Sequence, residues 1–328
     1  MALRVGFLSV AHMHAWGYAP AFKSHPDVSV VGLWDDDAER RGRFANEFEI
    51  REFADPETLV GEVDAVVITS ENRTHAQWIE LAAGAGKAIL CEKPLCTTQD
   101  EADRIGRAAA GSSAPIMTAF PCRYSPAFRS LQAKVKAGDL GTIRGICATN
   151  RGRCPWGWFT DPSKSGGGAM IDHVVHVADL LDVLLGEPPS RVQAQIGNNM
   201  YGQEWDDTAM LTLEFASGAF ATLDSSWSRH ASYKTWGDVT MNVVGDQGLV
   251  ELELFSQAID RWGDGPMSHR LAGYGSDLDA GLVLDFVRCA IDGSPAPIGI
   301  DAGLKASRIA IAGYASAKLG QPVDLAAA

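Results

Sequence analysis

The chain has 328 residues, of which 46% are hydrophobic and 21% charged, enough apolar material for two domains with separate cores. Its formal net charge is −13 and it has no Lys/Arg block, which argues against a nucleic-acid partner because phosphate backbones bind basic faces. No apolar stretch approaches the roughly 20 residues of a membrane helix, and the first residues lack a signal-peptide pattern, so we expect a cytoplasmic protein without a membrane partner.

The first 120 residues alternate between short apolar runs and segments of helical length. The runs are Leu3–Val10, Val28–Trp34, Asp64–Thr69, Ala88–Cys91 and Pro115–Phe120. Helices are predicted over Asp37–Glu49, Arg73–Ala83 and Thr98–Ala110. Short β-branched runs that alternate with helices are typical of a parallel sheet covered on both faces, so the pattern predicts an α/β, doubly wound Rossmann domain.

The pattern changes after Pro121. Helices are predicted over Pro126–Ala137, Asp277–Ile291 and Asp301–Leu319. Strands are predicted over Thr142–Asn150, Arg191–Gly197, Thr208–Phe215, Ala219–Trp227, Asp238–Val244 and Leu249–Phe255. We therefore predict a Rossmann domain over residues 1–121 and an α+β domain with an open, mainly antiparallel sheet over residues 122–328, whose C-terminal helix could pack back on the first. An open sheet has one face to cover, which favours a homo-oligomer.

The turn after the first strand should carry the glycines of a dinucleotide site, yet it reads Ser9-Val10-Ala11-His12-Met13-His14. Support comes about 20 residues later, where Asp35 ends the second strand and could accept hydrogen bonds from the adenine ribose hydroxyls. Asp36 and Asp37 follow, and we see no arginine there to meet a 2′-phosphate. NAD is therefore favoured over NADP.

His12 and His14 form an H-x-H pair that could chelate a metal ion, but no acidic or cysteine partner lies at a telling spacing. We expect no metal and a role for the pair near the cofactor. The six cysteines form no CxxC pair, which indicates neither a zinc site nor a disulfide framework and favours a reducing compartment.

Cys91-Glu92-Lys93-Pro94 directly follows the fifth strand, at the edge of the sheet where doubly wound folds bind ligands. A lysine beside a nicotinamide ring is suited to exchange a proton with a substrate hydroxyl. Pro94 fixes the local turn, and its peptide bond could be cis.

Three glycines, Gly166–Gly168, precede an apolar helical run that carries polar groups at i, i+4 and i+7. At 100° per residue Asp172, His176 and Asp179 fall within roughly 60° of one another. A polar stripe on a buried helix costs stability unless each member has a partner or a task, so a structural Asp–His hydrogen bond and catalysis both remain open. His173 points away from Asp172 and is expected to be structural.

With Glu92-Lys93-Pro94, the triple glycine and Asp172…His176 together, the chain resembles the Gfo/Idh/MocA family of oxidoreductases. The resemblance extends over nearly the whole length, and it also includes Thr69…Asn72…His75, Arg123…Pro126 and Trp158-Phe159…Asp161-Pro162. It implies a Rossmann domain, an open-sheet domain, dimers or tetramers, and NAD(P)-linked oxidation of a sugar or polyol hydroxyl, or the reverse reduction.

The resemblance also implies roles for single residues. Lys93 is similar to the family's catalytic lysine, His176 to its proton-transfer partner, and Asp172 to the residue that orients substrate and histidine. The positions that resemble cofactor contacts are Ser9, Ala11, His12, Asp35, Thr69, Asn72, His75, Glu92, Lys93 and Arg123. Lys93, Asp172 and His176 would also meet the substrate.

The loop before the glycines adds Arg153 and Trp158 as expected substrate contacts, with Arg151 and Trp156 beside them. Aromatic faces stack on sugar rings, and an arginine suits a carboxylated or phosphorylated sugar. Structural packing of these aromatic residues under the long loop stays open as an alternative. The family's first turn is usually rich in glycine, and here either Ser9 and Ala11 stand in for glycines or the loop is shorter. Two alternatives stay open: a non-catalytic, nucleotide-binding sugar sensor of the same fold, and a reductase of an imine or a tetrapyrrole.

Overall fold

The computed structural model describes residues 2–262, 269–273 and 275–325. Two compact units are present. The first contains Met1–Pro121, Gly157–Gly167 and Asp279–Ile311. The second contains Cys122–Trp156, Gly168–Leu278 and Ala312–Ala328.

The first unit is built on a six-stranded sheet in which all neighbouring strands are parallel. Its strands are β1 (Leu3–Val10), β2 (Val28–Trp34), β3 (Arg51–Glu52), β4 (Ala65–Thr69), β5 (Ala88–Cys91) and β6 (Ile116–Thr118). Their order is β3-β2-β1-β4-β5-β6, which is the order of a dinucleotide-binding Rossmann fold. The predicted doubly wound parallel sheet is therefore confirmed.

Helices connect these strands and bury both faces of the central ones. They are α1 (His14–Ser24), α2 (Ala38–Phe48), α3 (Pro56–Glu62), α4 (His75–Gly84) and α5 (Gln99–Ala110). Every residue of β4 is buried, as the unbroken apolar run predicted. Side chains fix the helix starts: Asp37 and Asp55 cap α2 and α3, and Thr98 with Glu101 forms a capping box on α5.

The second unit is built on a seven-stranded sheet. Its strands are β7 (Ile143–Gly152), β8 (Arg191–Gly197), β9 (Thr208–Glu214), β10 (Phe220–Ser226), β11 (Gly237–Gly245), β12 (Leu249–Glu253) and, after the elements below, β15 (Val323–Asp324). The order is β12-β11-β7-β10-β9-β8-β15, and only the β7–β10 pair among these is parallel. This mixed sheet fits the predicted open, mainly antiparallel one.

The remaining elements are α6 (Pro126–Ala137), α7 (Pro162–Ser165), α8 (Ala169–Leu185), the hairpin β13 (Ala258–Trp262) and β14 (His269–Gly273), α9 (Leu278–Asp292) and α10 (Ile300–Leu319). In the second unit α8 packs on β7, β9 and β10, and 13 of its 17 residues are buried. Among the described residues no helix combines the length and apolar character that a bilayer span requires.

Candidate functional site

The turn from β1 to α1 is only three residues long, because β1 ends at Val10 and α1 begins at His14. Ser9, the residue before the end of the strand, has φ +64°, a left-handed backbone that normally favours glycine. The loop is therefore short, and Ser9 has the backbone conformation expected of a glycine.

Asp35 supports this turn from the end of β2. Its buried carboxylate accepts hydrogen bonds from the Ser9 hydroxyl at 3.0 Å and from the Val10 amide at 2.7 Å. It also accepts from the Asp37 amide at 2.8 Å and from Arg40, whose Nε and Nη2 lie 3.0 and 2.7 Å from Oδ1. The expectation that no arginine lies near Asp35 was wrong, because the first turn of α2 brings Arg40 back onto it.

Four other predicted cofactor or substrate residues are connected to Ser9 by hydrogen bonds, Thr69 and Ala11 directly and His12 and Trp158 through them. The Thr69 hydroxyl, at the end of β4, donates to the Ser9 carbonyl at 2.6 Å, and the His12 amide donates to the Thr69 carbonyl at 2.8 Å. The indole N–H of Trp158 donates to the Ala11 carbonyl at 3.1 Å. Ser9, Ala11, His12, Thr69 and Trp158 thus belong to one hydrogen-bonded group in the first unit.

His12, His14 and Glu92 form a compact group whose ligand atoms all lie within 4.8 Å of one another. The Glu92 carboxylate is 3.1 Å from His14 Nδ1 and accepts a hydrogen bond from the Tyr18 hydroxyl. Burial alone would raise the pKa of Glu92, but the neighbouring His12, His14 and Lys93 hold that pKa well below its usual range. Burial lowers the pKa of His14, and Glu92 outweighs burial and raises it.

Two histidines and a carboxylate are a donor set that zinc can use. His12 Nδ1 accepts the His14 amide at 3.2 Å, so this nitrogen already has a hydrogen-bond partner. The contacts of Glu92 with His14 and Tyr18 account for this cluster as a hydrogen-bonded ion pair.

Asn72 and His75 follow β4, and both are buried. Asn72 Nδ2 donates to the Ser165 carbonyl at 2.8 Å, while its Oδ1 is buried and has no hydrogen-bond partner among the described residues. A buried, unpaired acceptor is costly in a closed protein, so this oxygen fits a ligand that brings a donor. The residues at this edge therefore fit a dinucleotide.

Lys93 and Pro94 extend the carboxyl end of β5. The lysine is only 4% exposed, its amide donates to Glu92 Oε2 at 3.1 Å, and the Lys93–Pro94 bond is cis. His75 Nδ1 lies 2.9 Å from the Pro94 carbonyl, which gives that nitrogen the donor role. Burial lowers the pKa of His75, so its imidazole is neutral.

The second unit holds the other predicted group, on α8. Asp206 caps this helix: its carboxylate accepts the amides of Gly168 at 2.9 Å and Met170 at 2.7 Å, and its carbonyl accepts the amide of Ala169 at 2.8 Å. The Tyr314 hydroxyl donates to the same carboxylate at 2.7 Å. Asp206 was not predicted from the sequence, because it lies 36 to 38 residues from the Gly168 and Met170 amides that donate to its carboxylate.

Asp172 lies in the first turn of α8 and is buried. Its Oδ2 accepts the indole N–H of Trp227 at 3.2 Å and lies 3.3 Å from His173 Nε2. His173 Nδ1 is 2.9 Å from the Asn150 carbonyl, which fits the structural role expected for this histidine. The expectation that His173 points away from Asp172 was wrong, because the ring reaches back along the first turn of α8 to the Asp172 carboxylate. His176 lies one turn further along, with Nδ1 3.8 Å from the Cys122 sulfur.

Asp179, the third polar position of α8, is paired with Arg123. The guanidinium forms two hydrogen bonds to the carboxylate, one of them 2.7 Å from Nε to Oδ2. Burial raises the pKa of Asp179 to about 6, and the bonds from Arg123 oppose that rise. Arg123, expected to contact the cofactor, thus has a partner within its own unit.

Arg153 also has a partner in the second unit, since its Nη2 donates to the Tyr233 carbonyl at 2.5 Å. Near it, an aromatic cluster was not foreseen: Trp156 lies 5.2 Å from Tyr201 and 6.0 Å from Trp205, measured between ring centroids. Trp205 in turn lies 5.3 Å from Trp227, the indole that contacts Asp172. The predicted residues therefore form two groups, one in each unit, with Lys93 in the first and Asp172 and His176 in the second.

Two family profiles match this chain. The one described as "Oxidoreductase family, NAD-binding Rossmann fold" matches residues 5–120, and the one described as "GFO/IDH/MocA C-terminal domain" matches residues 128–251. Inositol 2-dehydrogenase of Rhizobium meliloti (strain 1021) is 29% identical over 259 residues, which make up 77% of this chain and 76% of that protein.

Solved structures share the fold. A structure of GenD2 from gentamicin A biosynthesis, in complex with NAD, gives a TM-score of 0.90 at 22% identity and covers 99% of this chain and 96% of that one. Levoglucosan dehydrogenase, in complex with NADH and levoglucosan, gives 0.86 at 20% identity and covers 99% and 100%. The chain therefore belongs to the Gfo/Idh/MocA family, and it is an oxidoreductase with an NAD-binding Rossmann domain.

Proposed function

We propose that this protein transfers a hydride between NAD and a secondary hydroxyl or ketone of a sugar, polyol or sugar derivative. The observation that carries the proposal is Lys93, a nearly buried lysine held at the carboxyl end of β5 in an NAD-binding sheet. The relatives support the substrate class, since their names include an inositol 2-dehydrogenase and a levoglucosan dehydrogenase.

NAD, when bound, supplies the acceptor for a hydride. We propose that the turn Ser9–His12 holds its phosphates at the start of α1, where helix N-termini favour anions. The unpaired Asn72 Oδ1 would accept a hydrogen bond from the nicotinamide half. Arg40 lies among the carboxylates of Asp35, Asp36 and Glu71, which leaves no net positive charge for a 2′-phosphate and supports NAD over NADP.

We further propose that Lys93 or His176 takes the hydroxyl proton, since lysine and histidine are side chains that can act as general bases. Asp172 would orient the substrate and the imidazole. Its carboxylate is ready for that task because Trp227 holds Oδ2 in place. Arg153 and Trp158 stay as proposed substrate contacts.

The test is Lys93→Ala, assayed with NAD and a panel that contains myo-inositol, scyllo-inositol, levoglucosan and methyl glucosides. We expect turnover to fall by roughly 10²- to 10⁴-fold, the range of a lost general acid or base, with NADH affinity nearly unchanged. Lys136→Ala, on the exposed end of α6, is the matched control and should keep full activity. Unchanged turnover in Lys93→Ala would refute the assignment, and NADH binding without turnover of any substrate by the wild type would favour the sensor.

We also propose a cytoplasmic homodimer or homotetramer. On one face of the second sheet Met210, Phe220, Val244 and Leu249 are each at least 42% exposed, and the strand register places them on the same side. An exposed apolar patch of this kind often marks a protein interface. Phe220→Glu should lower the mass measured by light scattering, whereas Leu284→Glu, at an exposed position on α9, should leave it unchanged.

A further inference from the structure

The carboxylate that the fold offers to the adenosine ribose is already occupied. Asp35 lies at the end of β2, where NAD-binding sheets place an acidic residue for the ribose hydroxyls, and its side chain is fully buried. Five N–H or O–H groups point at it: the Ser9 hydroxyl, the amides of Val10 and Asp37, and Nε and Nη2 of Arg40. A carboxylate has about four lone-pair sites, so Asp35 has none left for a ribose.

Arg40 donates hydrogen bonds to the Asp35 carboxylate and contacts two further carboxylates. Its Nη2 is 2.7 Å from Asp35, 3.0 Å from Asp36 and 3.8 Å from Glu71. β2 and β4 flank β1 in the sheet, and Asp36 and Glu71 lie just beyond their ends, so the guanidinium bridges the two sides of the β1 edge. The contacts of Asp35 with Ser9, Val10 and Arg40 hold the short β1–α1 turn in place.

The next carboxylate along the chain is free to do what Asp35 cannot. The Asp36 side chain is 68% exposed, and within the described residues its carboxylate accepts one hydrogen bond, from Arg40 to Oδ1. We propose that Asp36, and not Asp35, accepts the adenosine ribose hydroxyls of NAD, while Asp35 and Arg40 act as positioning residues for the β1–α1 turn. This inference rests on the NAD-binding fold and is independent of the sugar or polyol substrate.

The experiment compares the affinity for NADH with the affinity for 2′-deoxy-NADH, which lacks the 2′-hydroxyl of the adenosine ribose. Both affinities are measured by nucleotide fluorescence without any substrate. A hydrogen bond from a hydroxyl to a carboxylate corresponds to roughly 10- to 100-fold in affinity, so the wild type should prefer NADH by that factor. In Asp36→Ala the preference should fall below about threefold. The control Glu39→Ala removes an exposed carboxylate three residues away and should keep the wild-type preference.

The variant Asp35→Asn distinguishes the role of Asp35 from that of Asp36. This variant should weaken the binding of both nucleotides by the same factor and keep the preference, because it disturbs the turn and not the ribose contact. The proposal is overturned if Asp36→Ala keeps the wild-type preference, if Asp35→Asn abolishes it, or if the wild type shows no preference. It is also overturned if Arg40→Gln increases the affinity for NADH, since Arg40 would then be blocking a ribose site on Asp35.

Discussion

Replacing Gly168 by alanine tests whether the start of α8 depends on a residue without a side chain. A Cβ at this position would lie 1.9 Å from the Asp206 carbonyl oxygen, while non-bonded heavy atoms pack at about 3.5–4.0 Å. The two segments must then separate by about 1.5 Å or more. That shift breaks the bonds that Asp206 receives from the amides of Gly168, Ala169 and Met170, at 2.9, 2.8 and 2.7 Å.

The size of the effect follows from those three hydrogen bonds. Two of them end on an ionised carboxylate, for which about 1.5–3 kcal/mol each is usual, and the third ends on a carbonyl, for which about 1 kcal/mol is usual. Since water and a relaxed backbone recover part of this sum, we expect Gly168→Ala to lose about 3–5 kcal/mol of unfolding free energy. For a unit of this size the melting temperature should fall by roughly 10 °C.

The assay is thermal and urea denaturation followed by circular dichroism, with turnover measured in parallel because α8 also carries Asp172 and His176. Gly106→Ala is the control, since a Cβ at this helical position meets no atom within 4 Å and alanine should be neutral or slightly stabilising. A Gly168→Ala protein that melts within about 2 °C of the wild type would refute the close contact with Asp206.

Two further predictions concern the first unit. Ser9→Ala keeps the left-handed backbone strain and loses the hydrogen bond to Asp35, which should lower the unfolding free energy by about 1.5–3 kcal/mol. Ser9→Gly loses the same hydrogen bond but relieves about 1 kcal/mol of backbone strain. Urea midpoints should therefore rank wild type above Ser9→Gly above Ser9→Ala, and the reverse order of the two variants would contradict this. Burial lowers the pKa of His75 in the folded state, so its contribution to stability is present above the unfolded pKa of about 6.5. That contribution is lost as the pH falls below this value and through the lower folded pKa. The urea midpoint of His75→Asn should accordingly fall less between pH 7.5 and 5.5 than that of the wild type, and an equal fall would show that His75 does not titrate.

The sequence predicted most of the fold because burial patterns in both units are periodic. The run Leu3–Val10 and the helix Pro126–Ala137 have the predicted bounds, and the strands of the second sheet differ by only a few residues. The helix α1, which has 11 residues, was not predicted. The other elements that were missed are short: β3 and β15 have two residues each, α7 four, β13 and β14 five each, and α3 seven. Such segments are too short for a hydrophobic period to show.

Within the site, the contacts that could be predicted from the sequence were those between residues close together along the chain. Asp172 and His173 are adjacent on α8 and contact each other, although the 100° turn per residue was expected to separate their side chains. Glu92 lies 78 residues from His14, so the spacing of H-x-H could not reveal its acidic partner. Arg40 is different: it lies five residues from Asp35, and the cap at Asp37 that starts α2 could have placed it there.

The first turn shows how a Rossmann fold can be kept without its glycines. A glycine-rich turn supplies positive φ and room for a phosphate without cost, whereas here Ser9 adopts positive φ at a cost of about 1 kcal/mol. The bonds from Ser9 and Val10 to the Asp35 carboxylate offset that cost, and Arg40 balances the buried charge. Because the same carboxylate is the fold's usual ribose acceptor, we propose that stabilising the turn in this way removes it from nucleotide binding. The substitution of the glycines and the proposed transfer of ribose binding to Asp36 are thus consequences of one set of contacts.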